Sequence, residues 1–225
     1  MSRRQIGSAG RDVVVLAGES ANDRRILAAF IRAAHPELAS SVALAEITDP
    51  VRLRRKVGAD LATAASTLAS KARGKARLKG GQLVGLVVHE DMDSGTGPDY
   101  DAARRTVSHA LTRAAGAASS VYALAAAESE AWLLLFPRAF SLYRASWSIP
   151  AAWKGKDSGR RQNPKEDLAA VLLKPRFRES DGPEVAEIAL RHGLLAKPEG
   201  TNRSHQDFVA DISRWSVPAA RSARR

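Results

Sequence analysis

Two rhythms of apolar residues alternate through the first 136 positions of the chain. Val13-Val14-Val15-Leu16-Ala17 is unbroken and rich in β-branched side chains, which predicts a strand buried on both faces. Gly18-Glu19-Ser20-Ala21-Asn22-Asp23 ends it. Ile26, Leu27, Phe30 and Ile31 then recur at helical spacing, so a helix should run to about Ala34, ahead of Pro36. A second strand is expected from Ser41 to Ile47. Asp49-Pro50 should open a long helix carrying Val51, Leu53, Val57, Leu61, Ala64, Ala65 and Leu68, with Asp49 as cap and Pro50 in the first turn. Leu83 to Val88 repeats the strand pattern, and a polar loop is expected from His89 through Asp99. Tyr100 to Ala115 reads as a helix, Val121 to Ala125 as a fourth strand and Glu128 to Phe136 as a further helix.

Apolar strands that end in acidic loops and feed helices predict an α/β fold, a mostly parallel sheet with helices on both faces. Such sheets carry their sites outside the carboxyl ends of the strands. After Pro137 the pattern changes. Phe140, Tyr143, Trp147 and Trp153 stand among Arg138, Arg144, Lys154 and Lys156, and short helices are expected at Lys165–Leu173, Glu184–His192 and His205–Ser213. The organisation that follows is a basic N-terminal segment (1–12), an α/β core (13–136), a mainly helical C-terminal appendage packed on the sheet (137–217) and a basic tail (218–225).

Composition narrows the chemistry. The chain has 225 residues, with 35 Lys+Arg against 24 Asp+Glu, a formal net charge of +11. That excess favours a polyanionic partner such as nucleic acid. There is no cysteine, which excludes disulfide scaffolds, thiol nucleophiles, cysteine-ligated zinc and iron–sulfur clusters. No apolar run reaches the length of about 18 residues that a membrane span needs. The opening MSRRQIGSAGRD lacks the apolar segment of a secretory signal, so a cytoplasmic protein without membrane contact is expected. No Walker A sequence or serine nucleophile elbow is present.

Carboxylates concentrate where the chain leaves apolar segments: Glu19 with Asp23, Asp91 with Asp93, and Glu128 with Glu130. Two carboxylates about 4 Å apart repel by about 1 kcal/mol even in water, so a cluster calls for a cation. Hard oxygen donors suit Mg²⁺ or Mn²⁺. Each acid also has a local explanation. Ser20 and Asp23 fit a helix N-cap, Asp91 and Asp93 fit a strand-end turn, and Glu128 and Glu130 fit a helix start.

The order of these motifs resembles the Toprim domain of topoisomerases, primases and small phosphodiesterases. Small stand-alone Toprim-like proteins, some found with ATPase partners in prokaryotic defence loci, are the nearest in pattern. The resemblance rests on Val13-Val14-Val15-Leu16-Ala17-Gly18-Glu19 with Asp23, on Asp91-Met92-Asp93, on Glu128-Ser129-Glu130-Ala131-Trp132-Leu133-Leu134, and on Asn163-Pro164-Lys165. It covers roughly residues 13–173 and implies a Toprim-like fold and a Mg²⁺- or Mn²⁺-dependent nuclease. Glu19 would be the acid/base or a ligand, Asp91 and Asp93 metal ligands with a catalytic part, and Glu128 or Glu130 a further ligand. An ATPase partner and an antiviral defence setting are also implied.

For binding nucleic acid, the run Lys71, Arg73, Lys75, Arg77 and Lys79 is the first candidate, as one face of a strand or as a cationic loop; Lys165 is the second. His89, one residue past the third strand, could assist the acidic site or lie on the surface. Tyr143, Trp147 and Trp153 could stack on bases or form the core of a helical layer. Two other readings accommodate the same residues. One is a non-catalytic module binding nucleic acid or a protein partner. The other is a Mg²⁺-binding, receiver-like or nucleotide-handling α/β protein.

Overall fold

Strands β1 (Arg11–Ala17), β2 (Val42–Ile47), β3 (Gly81–Asp91) and β4 (Ser119–Ala125) form one sheet in the order β2-β1-β3-β4, every pair parallel. The computed structural model describes residues 11–36, 42–49 and 52–215. The strands are apolar on both faces because both faces are covered. Val13, Val15, Ala17, Leu86, Val88, Tyr122 and Leu124 pack against α2 (Gly58–Leu78) and α3 (Pro98–Ala115). Along α2, Ala65, Ala69, Ala72 and Ala76 are fully buried at helical spacing, a seam of small side chains on which the helix approaches its neighbours closely.

The opposite face, with Val14, Leu16, Val87, Val121, Ala123 and Ala125, packs against α1 (Ala21–Ala34). The same apolar cluster takes in the appendage: α4 (Glu130–Leu133), α5 (Pro137–Tyr143), α6 (Pro164–Val171), α7 (Gly182–Arg191) and α8 (Arg203–Ser213). Phe140, Trp147, Leu168, Val185, Phe208 and Ile212 are buried in it. Trp147 is therefore core, as is the stacked pair Trp132 and Phe208. Trp153 is partly exposed and lies under the Arg161 guanidinium, 3.5 Å from its ring centre. The appendage thus covers one sheet face beside α1. No helix among the described residues is long and apolar enough to cross a membrane.

The structure corrects four sequence expectations. The helix expected from Asp49-Pro50 begins only at Gly58; residues 52–57 are irregular, and Ser41, Pro50 and Val51 lie outside the described residues. The polar loop expected from His89 begins three residues later, because β3 continues through His89-Glu90-Asp91 in register with Ala123-Leu124-Ala125 of β4. His89 is accordingly buried in the sheet. The stretch from Glu128 to Phe136 holds only a four-residue helix, α4. The basic run is neither strand nor loop but the C-terminal part of α2, continued by the cap residue Lys79. Of the terminal segments, residues 1–10 and 216–225 lie outside the described residues.

Candidate functional site

The chain crosses from β1 outward to β2, then back across β1 to β3 and on to β4. The sheet order therefore reverses between β1 and β3, and in open α/β sheets the space beyond the carboxyl ends of two such strands is the crevice where ligands bind. Glu19 follows β1 by one residue beyond Gly18, and Asp91 is the last residue of β3. The β4–α4 connection supplies Glu128 and Glu130 from the adjacent strand. The topology brings Glu19, Asp23, Asp91, Asp93, Glu128 and Glu130 to one end of the sheet.

Asp91 is the centre of this group. Burial pushes its carboxyl up to about 8, and the negative charges of Asp23, Glu19, Glu128 and Asp93 add to the effect. Its Oδ1 is buried and accepts no hydrogen bond. The His89 ring lies fully buried beneath the crevice, Nε2 3.5 Å from Asp91 Oδ1 and Nδ1 3.8 Å from Asp23 Oδ2, beyond hydrogen-bond length on both sides. Glu130 is buried too. Its carboxyl is pushed up to about 7, first by burial, with Asp91 and Asp23 contributing while its own backbone N–H and Lys165 act in the other direction.

Asp23 has two jobs. Its backbone N–H donates to Ser20 Oγ at 3.1 Å, and its Oδ2 accepts from the Ser20 N–H at 3.1 Å, a reciprocal cap on α1. Its Oδ1 accepts from Ser129 Oγ at 3.0 Å, which ties the start of α1 to the start of α4. The cap expected from sequence and a place in the acidic group are therefore the same residue.

The outer acids are partly engaged. Glu19 is exposed at the mouth. Asp93 takes a left-handed backbone conformation (φ 58°) and its carboxylate meets Arg54 at 2.7 Å. Ala127 takes the same conformation (φ 57°), and the Asp93 N–H donates to its carbonyl at 3.2 Å. Two non-glycine residues in this region, on facing loops, are a strain of the kind that clusters at functional sites. Glu128 Oε2 accepts from the Lys165 N–H at 3.1 Å, and Lys165 Nζ stands 3.6 Å from Glu128 and 3.1 Å from Glu179. Burial opposes the Lys165 charge, but Glu179, Glu128 and Glu130 together hold its ammonium above the usual lysine value.

Glu90, Arg54 and Ser129 were not singled out by sequence. Glu90 points to the α2–α3 side, 2% exposed, where Oε2 accepts from the Leu53 N–H at 2.9 Å, the Arg54 N–H at 3.2 Å and the Tyr122 hydroxyl at 3.1 Å. Burial raises its pKa, against those donors. The HEDMD string gave a signal, since Glu90 and Asp91 are adjacent and successive side chains of a strand face opposite sides.

The basic run lies elsewhere. Arg73 donates to the last carbonyls of α3, Ala114 at 2.7 Å and Ala115 at 3.1 Å. Arg73 and Arg77 border a hollow with Gly81, Gln82 and Leu83 at the start of β3, and Lys79 borders another with Arg11 and Val42. These are the amino ends of the strands, remote from the acidic crevice. Lys71, nearer the middle of α2, is ion-paired with Asp49, and Lys75 is partly buried.

Hard oxygen donors and an orphaned Asp91 oxygen fit a magnesium-like cation in kind. As the side chains stand, no three His, Asp or Glu residues among the described residues are arranged to hold one metal ion. Mg²⁺ keeps several waters and is commonly held by one or two carboxylates together with substrate phosphates, so Asp91 with one neighbour is a sufficient protein contribution. No protein-family model matches the chain, and neither the curated proteins nor the solved structures contain a significant match.

Proposed function

We propose that the chain is a cation-dependent, phosphate-handling α/β protein, with one Mg²⁺ or Mn²⁺ taken up between Asp91 and the surrounding carboxylates. The supporting observation is Asp91 itself: a carboxylate at the sheet's reversal point, with a buried, unpartnered oxygen, beside four other acids. Uncompensated negative charge at that depth raises pKa values and is relieved by a cation. A bound cation supplies charge neutralisation on a phosphate and a more acidic water. Asp91 and Glu130 would hold it; Lys165, between Glu128 and Glu179 at the rim, would orient a phosphate oxygen.

Hydrolysis of a nucleic acid is the stronger form of the same proposal and agrees with the Toprim resemblance. It gives Glu19, exposed at the mouth, the transfer of a proton to or from the reacting oxygen. It also needs Asp93 to leave Arg54. A binding module without hydrolysis asks less of the geometry: Asp93 stays paired with Arg54, and no trio of ligands has to form.

The experiment is a thermal melt of the full chain in EDTA, then with Mg²⁺ or Mn²⁺, alongside incubation with labelled DNA and RNA. Wild type should melt several degrees higher with cation, and Asp91→Asn should lose that rise. Absence of any cation-dependent rise in wild type would sink the proposal. Cleavage that needs cation and disappears in both Asp91→Asn and Glu19→Gln selects the nuclease; a cation-dependent rise without cleavage selects the binding module.

A further inference from the structure

Beside the acidic crevice lies a groove of about 370 Å³, bounded by the end of β2, residues 52–56 and the middle of α2. Its volume falls in the range of small-molecule sites. Ile47, Leu53, Ala64 and Leu68 give it an apolar floor, and Arg52, Lys56 and Lys71 stand on its rim. The one acid among its described lining residues, Asp49, is already paired with Lys71. Three cations against one carboxylate leave the rim positive. Inorganic anions have no use for the floor, and a purely apolar ligand has none for the rim. A nucleotide has a flat base for the one and a phosphate for the other.

The groove is joined to the crevice through two adjacent residues. Leu53 lines the groove while its N–H donates to Glu90, and the next residue, Arg54, reaches Asp93 in the crevice. We infer that the groove seats one nucleotide of a single-stranded nucleic acid, its base on the apolar floor and its phosphate on Arg52, Lys56 and Lys71, with the strand continuing past Arg54 toward the acidic crevice. This rests on the phosphate-handling reading for its direction, and it names the substrate class of that site.

The test uses the full chain and a short, labelled single-stranded oligonucleotide, followed by fluorescence anisotropy in EDTA, with melts in Mg²⁺ run in parallel. Arg52 and Lys56 are exposed, so Arg52→Glu with Lys56→Glu leaves the core intact. The double variant should bind about tenfold or more weakly, and the log–log salt slope should drop by about 1 as the groove's contact with that phosphate is lost. Its Mg²⁺-dependent rise in melting temperature should match wild type. Equal binding by variant and wild type, or no binding by wild type in EDTA, overturns the inference. Pyrophosphate competing as well as a mononucleotide overturns the base seat, and a mononucleotide binding as tightly as the oligonucleotide overturns the strand. Intact oligonucleotide binding without any Mg²⁺ effect sinks the cation proposal and leaves the groove standing.

Discussion

Asp91 shows how one residue can carry a site's electrostatics. Its carboxyl is near 8 in the fold and near 3.8 when unfolded, so the native state keeps a proton that the unfolded chain releases between those values. Stability is then greatest below the unfolded value and is lost as pH rises toward 8. Glu130, pushed up to about 7 from 4.5, acts with the same sign over a narrower window. Asp91→Asn removes the larger contribution. Without divalent cations, the variant should melt near wild type at pH 4 and clearly above it at pH 8. At about 1.4 kcal/mol per pKa unit, and with the Asp91 side chain only 23% exposed, the gap at pH 8 should be roughly 3–5 kcal/mol. Melts in EDTA across that range measure it. A gap that stays constant with pH would mean that Asp91 titrates as an ordinary surface acid. Added Mg²⁺ should close the gap from the wild-type side, because only wild type retains the full acidic group.

At the level of elements, the strands were legible because a sheet covered on both faces needs continuous apolar runs, and Val13–Ala17 and Leu83–Val88 supply them. The acids at the strand ends were legible for the same reason, since a run's end marks the sheet's edge. What the pattern hid was the last turn of the ladder. His89, Glu90 and Asp91 are polar, yet they stay in β3 because Ala123–Ala125 of β4 continue alongside and satisfy their backbone. The start of α2 was hidden by a tertiary contact. Leu53 is buried as a helix residue would be, but its N–H and that of Arg54 are taken by Glu90 from another element. Glu90 thus holds residues 52–56, and with them both Arg54 and the groove. Glu90→Ala should cost about 2–4 kcal/mol, since it strips the partners from two backbone donors and from the buried Tyr122 hydroxyl. Tyr122→Phe, which removes one of those bonds, should cost about 1 kcal/mol. Chemical denaturation of the two variants compares them. A Glu90→Ala loss no larger than that of Tyr122→Phe would show that residues 52–56 are held by Leu53 packing alone.

Across the whole molecule, charge and core are organised differently. Among the described residues charge is separated by end of the sheet: cations at the end of α2 sit by the amino ends of the strands and the carbonyl end of α3, while acids collect at the carboxyl ends. The core, by contrast, runs without a break from the sheet into the appendage. Trp132 stacks on Phe208 at 5.3 Å and donates through Nε1 to Ser204 at 2.8 Å, and Ser204 in turn accepts from the Ala126 N–H at the end of β4. Phe30 of α1 meets the edges of both rings. Elements from residues 30 to 208 therefore meet in one cluster, directly behind the connection that carries Glu128 and Glu130. Phe208→Ala should cost about 3–5 kcal/mol by leaving a cavity between Trp132 and Phe30. Because that cluster includes the sheet, the loss should appear as a lower urea midpoint with an unchanged slope, not as a separate early transition of the appendage. Tryptophan fluorescence and far-ultraviolet circular dichroism should report the same midpoint in wild type and variant. The Mg²⁺-dependent stabilisation should vanish in that same transition, since Asp23 and Glu130 are positioned by α1 and α4 against this core. Non-coincident curves, with the appendage melting first while the cation response survives, would instead divide the chain near Pro137 into two separately folding units.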